Sequence, residues 1–315
     1  MSESLIIGID LGGTNIKGAL LDRAGNILAK DRTATLANAG PEAVAGRISR
    51  LIRDLQALAV ARGQKVTGIG LGVPGQLDPQ NGIVVFSPNL RWHQVPIVDY
   101  LRHNTPLPIF IENDGNVAAL GEQWRGAGRG SENMVMITIG TGIGGGLIIN
   151  GRLYKGTNGS AGEVGHMVID PNGPMCGCGR RGCLETLTSA SAMVRMAREA
   201  IDRGLVTDLS RPENLEAKDI VRSGQAGDGV AAEIIDRAAY YLGIGLGNLI
   251  NLFNPDTIVV GGGVSKAGAI LFDPMRRTAL AWALKAPAGV VKIVPATLGN
   301  DAGCIGAAVL VLQAN

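Results

Sequence analysis

Three of the chain's four cysteines fall in one short stretch, MCGCGRRGCLET (175–186), at Cys176, Cys178 and Cys183. His166, one of three histidines, lies just upstream in EVGH. Thiolates and imidazole together suit Zn²⁺, and a Cys3His set leaves no open position for an activated water, so such a metal is structural. A disulfide would leave an odd thiol and would need an oxidising compartment. Glu163 precedes His166 by three residues and Glu185 follows Cys183 by two. A metal holding both segments would fix these two carboxylates near each other. Carboxylates so placed accept hydrogen bonds from sugar hydroxyls, and His166 could ligate through one nitrogen and offer the other to a substrate. The bland alternative is two solvated surface glutamates.

A second constellation, ENDGN (112–116), ends an apolar run. Asn and Asp there can simply cap a helix, accepting its first free N–H groups. Strand ends in α/β sheets are also where ligands bind. A carboxylate at that place, Asp114, could take a proton from a hydroxyl attacking phosphate. Asn113 could fix a second hydroxyl as donor and acceptor.

A third set is made of glycine and threonine. GTGIGG (140–145) matches G-x-G-x-x-G, but that fingerprint must open a helix, whereas here it runs into GLIING, which reads as strand and turn. A dinucleotide fold is therefore rejected, and no G-K-[ST] element is present. What remains is DLGGTN (10–15), GTG (140–142) and GGG (261–263). Glycines let backbone N–H groups approach phosphate oxygens, and Thr14 and Thr141 add hydroxyls. Asp10 could hold Mg²⁺ directly or through water. A lone turn of this kind would be a tight hairpin only; three of them point to a nucleotide clamp.

The elements that must position these groups alternate. LIIGI (5–9), IKGALLD (16–22), VTGIGLGV (66–73), LPIFIEN (107–113), NMVMITIG (133–140), TIVVGGG (257–263) and VKIVPA (291–296) read as strands. GTGIGGG reads as a turn, and LIINGRLY as a hairpin around Asn150-Gly151. Helical apolar spacing runs over 42–61 through Val44, Ile48, Leu51, Ile52, Leu55 and Leu58. Further helices are expected over 118–124, 229–252 and 300–313. The pattern implies an α/β protein of two units. IGIDLGGTNIKGALLD and ITIGTGIGGGLIIN are each strand, Gly/Thr turn and strand, about 130 residues apart, which suggests a duplicated half facing one cleft.

Bulk properties set the outer limits. The chain has 315 residues, 46% apolar and 18% charged, with net charge +2. Its lysines and arginines form no nucleic-acid stripe. No apolar run reaches the roughly 18 residues of a membrane helix. MSESLIIGIDLGG has no basic region ahead of a short apolar run, so no secretory signal is expected, and a cytoplasmic enzyme is the default. Glycine is in excess, 47 residues without a G-X-Y period, which reads as backbone-made binding loops.

Taken together, DLGGTNIKGAL (10–20), GVPGQLD (72–78), ENDGNVAALGE (112–122), GTGIGGG (140–146), EVGH (163–166), CGCGRRGCLE (176–185) and VVGGGVS (259–265) resemble the ROK family of sugar kinases over nearly the whole chain. The resemblance implies a two-lobed actin-like and hexokinase-like ATPase fold, with ribonuclease H-like lobes and an interlobe cleft. It implies lobes of 1–115 plus 300–315 and of 116–299, the last helix returning to the first lobe. It implies Asp114 as the base that takes the proton from the sugar O6, which attacks the ATP γ-phosphate. Gly75, Asn89, Asn113, Asp114, Glu163, His166 and Glu185 would hold the sugar. Asp10, Gly12, Gly13, Thr14, Lys17, Thr141, Gly142, Gly262 and Gly263 would serve the nucleotide and Mg²⁺. His166, Cys176, Cys178 and Cys183 would bind structural Zn²⁺.

SPNLRWHQVPI (87–97) resembles a segment of glucose-phosphorylating members, which favours glucose over N-acetylmannosamine, N-acetylglucosamine, fructose or mannose; polyphosphate is an alternative donor in some relatives. The family's repressors carry an N-terminal helix-turn-helix domain, and a phosphate-loop strand beginning at residue 5 leaves no room for one. The expected partners are thus a hexose and ATP, with no nucleic acid and no membrane, and a homodimer or homotetramer from resemblance alone.

Overall fold

The computed structural model describes residues 4–314; Met1–Glu3 and Asn315, assigned above to the first lobe, lie outside the described residues. The chain opens as an antiparallel meander, β1 (Ser4–Leu11), β2 (Asn15–Leu21) and β3 (Ile27–Ala34), followed by α1 (Pro41–Ala61) and β4 (Lys65–Val73). A small sheet of β5 (Gln76–Asp78), β6 (Ile83–Ser87) and β7 (Trp92–Val95), then α2 (Ile97–Arg102), precedes β8 (Ile109–Asn113). The first large sheet has the order β3-β2-β1-β4-β8, with β4 parallel to both β1 and β8. α1 packs on it through Val44, Ile48, Leu51, Ile52 and Leu55. Leu58 is exposed instead of buried, and Ala59 takes its place, because the stripe of a 3.6-residue helix drifts.

After β8 the chain continues as α3 (Asp114–Arg125) and enters the second lobe: β9 (Met134–Ile139), β10 (Ile143–Ile149) and β11 (Arg152–Leu153). α4 (Leu184–Thr188), α5 (Ala190–Asp202), α6 (Ala217–Gln225) and α7 (Gly229–Phe253) lead to β12 (Thr257–Gly261). α8 (Ala269–Trp282), α9 (Lys285–Ala288), β13 (Lys292–Pro295) and α10 (Ala302–Ala314) close the chain. The second large sheet has the order β11-β10-β9-β12-β13. It again comprises an antiparallel meander followed by parallel strands. The two lobes therefore share one topology, as two copies of one unit would.

Two helices fill the layer between the sheets. α10 packs on β1, β2, β4 and β8; α3 packs on β9 and β10; and the helices pack on each other. This close approach explains some of the glycine, whose excess was assigned above to binding loops. Gly8 and Gly70 pair across β1 and β4. A Cβ on them would lie 2.0 Å from the Cys304 carbonyl oxygen and 1.8 Å from that of Ala307. On the helix pair, a Cβ on Gly306 would lie 1.6 Å from the Val117 carbonyl oxygen. No side chain larger than hydrogen fits at such contacts.

Two expected boundaries shift most. The turn of GTGIGGG is only 140–142: β10 begins at Ile143, and Gly144–Gly146 pair antiparallel with β9. The helix expected over 118–124 begins at Asp114, because Asn113 caps it. No helix among the described residues is long and apolar enough to cross a membrane.

Candidate active site

The C-terminal ends of β1, β4 and β8 in one lobe, and of β9 and β12 in the other, carry the chemistry-bearing residues. Asn113 is the N-cap of α3. Its Oδ1 accepts the N–H groups of Gly115 (2.9 Å) and Asn116 (3.3 Å), and its Nδ2 donates to the Gly75 carbonyl oxygen at 3.0 Å. The capping interaction of the sequence reading is thus present, and both ends of the amide are engaged. Gly75 has φ +113, and a Cβ there would lie 2.2 Å from the Phe86 carbonyl oxygen. Only glycine suits that position. Asn89 is exposed beside the first Gly/Thr turn; a Cβ on Gly13 would lie 3.5 Å from its carbonyl oxygen.

Asp114 opens the helix. Its side chain is exposed, yet protein lies around it on most sides, and its pKa is raised from 3.8 to about 6. Desolvation is the largest cause, and Asp10 and Glu163 add negative charge nearby. The Gly115 N–H opposes the shift, as does a helix N-terminus in general. Burial and like charge win. The second lobe comes close here: a Cβ on Gly115 would lie 2.5 Å from the Gly145 carbonyl oxygen, and one on Gly145 would lie 2.7 Å from that of Gly162, next to Glu163.

Asp10, next to last in β1, is half-buried, with Lys17 of β2 at 3.3 Å from its Oδ2. Gly12 and Thr14 form the adjoining turn, tied to Thr35: the Thr35 hydroxyl donates to the Gly12 carbonyl oxygen at 2.6 Å, and the Thr35 N–H donates to that of Thr14 at 2.8 Å. Opposite, Gly140, Thr141 and Gly263 line a cavity of about 940 Å³, whose other walls include Val194, Leu215 and Ala217. Gly262 has φ +89 and packs against Ile139. The walls contributed by α5 and α6 were not foreseen. Their helical periodicity is legible, but nothing in it marks which face borders a cavity.

Glu163 is exposed, and His166 and Glu185 are half-buried. Glu185 Oε2 accepts the Ile143 N–H at 3.0 Å, so this carboxylate braces the second Gly/Thr turn. The four metal candidates converge. His166 Nδ1 lies 3.6 Å from Cys176 Sγ, Cys178 Sγ lies 3.6 Å from Cys183 Sγ, and all four ligand atoms fall within 4.8 Å of one another. All three cysteines are free thiols. A tetrahedral metal with bonds of about 2.3 Å to sulfur separates its sulfurs by about 3.7 Å, so the cluster fits such an ion. Local backbone builds it: Cys176 N–H donates to the Arg180 carbonyl oxygen at 2.7 Å. Gly182, at φ +65, clears the Asp170 carbonyl oxygen that any Cβ would strike. Burial pushes the Cys183 thiol up to about 12. A bound metal would have to displace that proton. Cys304 lies apart, buried in α10.

The model of the ROK family matches residues 6–314. The chain is 42% identical to a protein named glucokinase from Thermotoga maritima, over 99% of each chain. It resembles the crystal structure of a ROK family glucokinase from Streptomyces griseus in complex with glucose and AMPPNP. There the TM-score is 0.83 and the identity 36%, over 98% of this chain and 100% of that one. It also resembles a ROK family transcriptional regulator, a homologue of the E. coli MLC protein, with TM-score 0.89 and 30% identity. That match covers 99% of this chain and 78% of that one.

Proposed function

We propose, from the premise that this chain belongs to the ROK family, that it transfers the γ-phosphoryl group of ATP to the 6-hydroxyl of glucose. One observation carries the reading. Asp114 stands just past the end of β8, at the start of α3 and near Asp10 and Glu163, with its pKa at about 6. At neutral pH it is ionised but basic enough to accept a hydroxyl proton as the oxygen attacks phosphorus. Glu163, His166 and Glu185 from the second lobe, with Asn89 and the Gly75–Asn113 pair from the first, would hold the sugar. Gly12, Gly13, Thr14, Thr141, Gly142, Gly262 and Gly263 would face the nucleotide, with its adenosine in the cavity beside α5 and α6. Mg²⁺, when bound, would neutralise charge on the phosphates; Asp10 has the oxygen donor to hold it, and Lys17 the charge to meet a phosphate.

The His166/Cys cluster is read as structural zinc, away from the proton transfer. The lobes are taken as 1–115 with 300–315, and 116–299. Free thiols suit a reducing cytoplasm. A homodimer or homotetramer fits the exposed Leu252, Trp282 and Leu284, and light scattering tests it.

A substrate panel in an ADP-release assay tests the reading. Glucose is expected to outcompete mannose, fructose, N-acetylglucosamine and N-acetylmannosamine. A preference for an N-acetylated sugar moves the substrate to that class, and no ADP release with any hexose overturns the reaction.

A further inference from the structure

Glu112 has no place in the chemistry above, yet it is 2% exposed, two residues before Asp114. Its Oε1 accepts the Asn113 N–H at 2.9 Å and Asn116 Nδ2 at 3.0 Å. Its Oε2 has no aligned hydrogen-bond donor. The Lys155 ammonium lies 2.6 Å from it, an ionic contact off the hydrogen-bond direction. Among the described residues no other cation pairs with Glu112. Lys155 belongs to the other lobe, just after β11. Its carbonyl oxygen accepts the Ala161 N–H at 3.1 Å, closing a loop that runs on to Glu163. A carboxylate this buried needs a counter-charge, and here it arrives across the lobe boundary.

We infer that the Lys155–Glu112 pair is a latch that ties the Glu163 loop of the second lobe to the strand end carrying Asp114, making Lys155 a positioning residue for phosphoryl transfer. The inference rests on Asp114 being the base. The charges facing Asp114 are Asp10 from β1, itself paired with Lys17 from β2, and Glu163 from the second lobe. With Lys155 in place, Glu112 adds no net charge to that group. Without Lys155, a third carboxylate stands unpaired two residues before the base, and the loop loses its tie to β8.

Steady-state kinetics of the full chain with glucose and ATP·Mg²⁺ test this, comparing K155M, E112Q, K155M/E112Q and K155R. K155M is expected to lower kcat on the order of 10- to 100-fold, with a smaller change in the KM for glucose. It also moves the midpoint of the kcat/KM pH profile upward by about one unit. E112Q lowers kcat without that upward move. The double variant returns the midpoint to the wild-type value, with losses smaller than the sum of the singles. K155R regains most of kcat. An unmoved midpoint in K155M, or strictly additive losses, overturns the latch. If K155M does not fold, wild-type kcat in E112Q overturns it equally. Failure of the wild type to phosphorylate glucose, or full activity in D114N, removes the base assignment instead.

Discussion

At the scale of single residues, the proposed site turns on one carboxylate. Asp114→Asn is expected to lower kcat by about 10²- to 10⁴-fold while glucose still binds, measured by calorimetric titration; rapid turnover in that variant would contradict the base assignment. The raised pKa has a second consequence. Only the ionised form accepts a proton, so kcat/KM should rise with pH through about 6 and level off above it. Stability runs the other way: a carboxyl raised from 3.8 to about 6 contributes stability fully below its unfolded value and loses it as pH rises through 6. Glu163→Gln removes one of the raising charges, so its kcat/KM midpoint should move down; an unmoved midpoint would separate Glu163 from the base. ENDG at the end of an apolar run made Asp114 legible in the sequence. The causes of its shift were not, because the elements that desolvate it, and then Asp10 and Glu163, approach it from segments far away in the chain. Asn113 carries a different lesson. Capping and substrate contact look alike in sequence, and here both ends of its amide have protein partners.

At the scale of elements, legibility followed burial. Strands buried on both faces, such as β4 and β9, stand out as apolar runs. β3 went unread because it is a largely exposed edge strand with no alternation to find. The small sheet of β5, β6 and β7 is too short to carry a period. The glycines of β1 and β4 read as parts of strands, with no reason for their small size; they are seats for α10. Gly70→Ala would drive a Cβ to 1.8 Å from a backbone oxygen. The expected loss is about 3 kcal/mol or more in urea unfolding; wild-type stability would mean that α10 sits elsewhere. The candidate metal loop is the opposite case. Its His and Cys cluster was legible from residue types, but its fold is turns and isolated bridges with little core of its own. Metal analysis should find about one zinc per chain, and chelation should lower the melting temperature by about 10 °C or more. A metal-free protein of unchanged stability would end the structural reading.

At the scale of the molecule, the duplicated topology places two sets of strand ends face to face, and α10 and α3 form the layer that joins them. The chain passes between the sheets twice, through α3 and again through the segment between β13 and α10. Glu122 ties both passages together. It is fully buried, and its carboxylate accepts the N–H groups of Ala127 at 2.8 Å, Thr297 at 3.1 Å and Leu298 at 2.8 Å. A point where both connections are pinned is where rigid lobes can turn about one axis while the cleft opens and closes. Closure matters to a kinase because water in the open site would compete with the sugar for the phosphoryl group. Glu122→Ala would leave the N–H groups of Ala127, Thr297 and Leu298 without their acceptor, at a cost of about 1–3 kcal/mol. It should also loosen the axis. In solution scattering, glucose with a non-hydrolysable ATP analogue should contract the wild type, and the variant should contract less. The ratio of ATP hydrolysed to sugar phosphorylated should rise in the variant, since imperfect closure admits water. Equal contraction and an unchanged ratio would mean that the lobes turn about some other point.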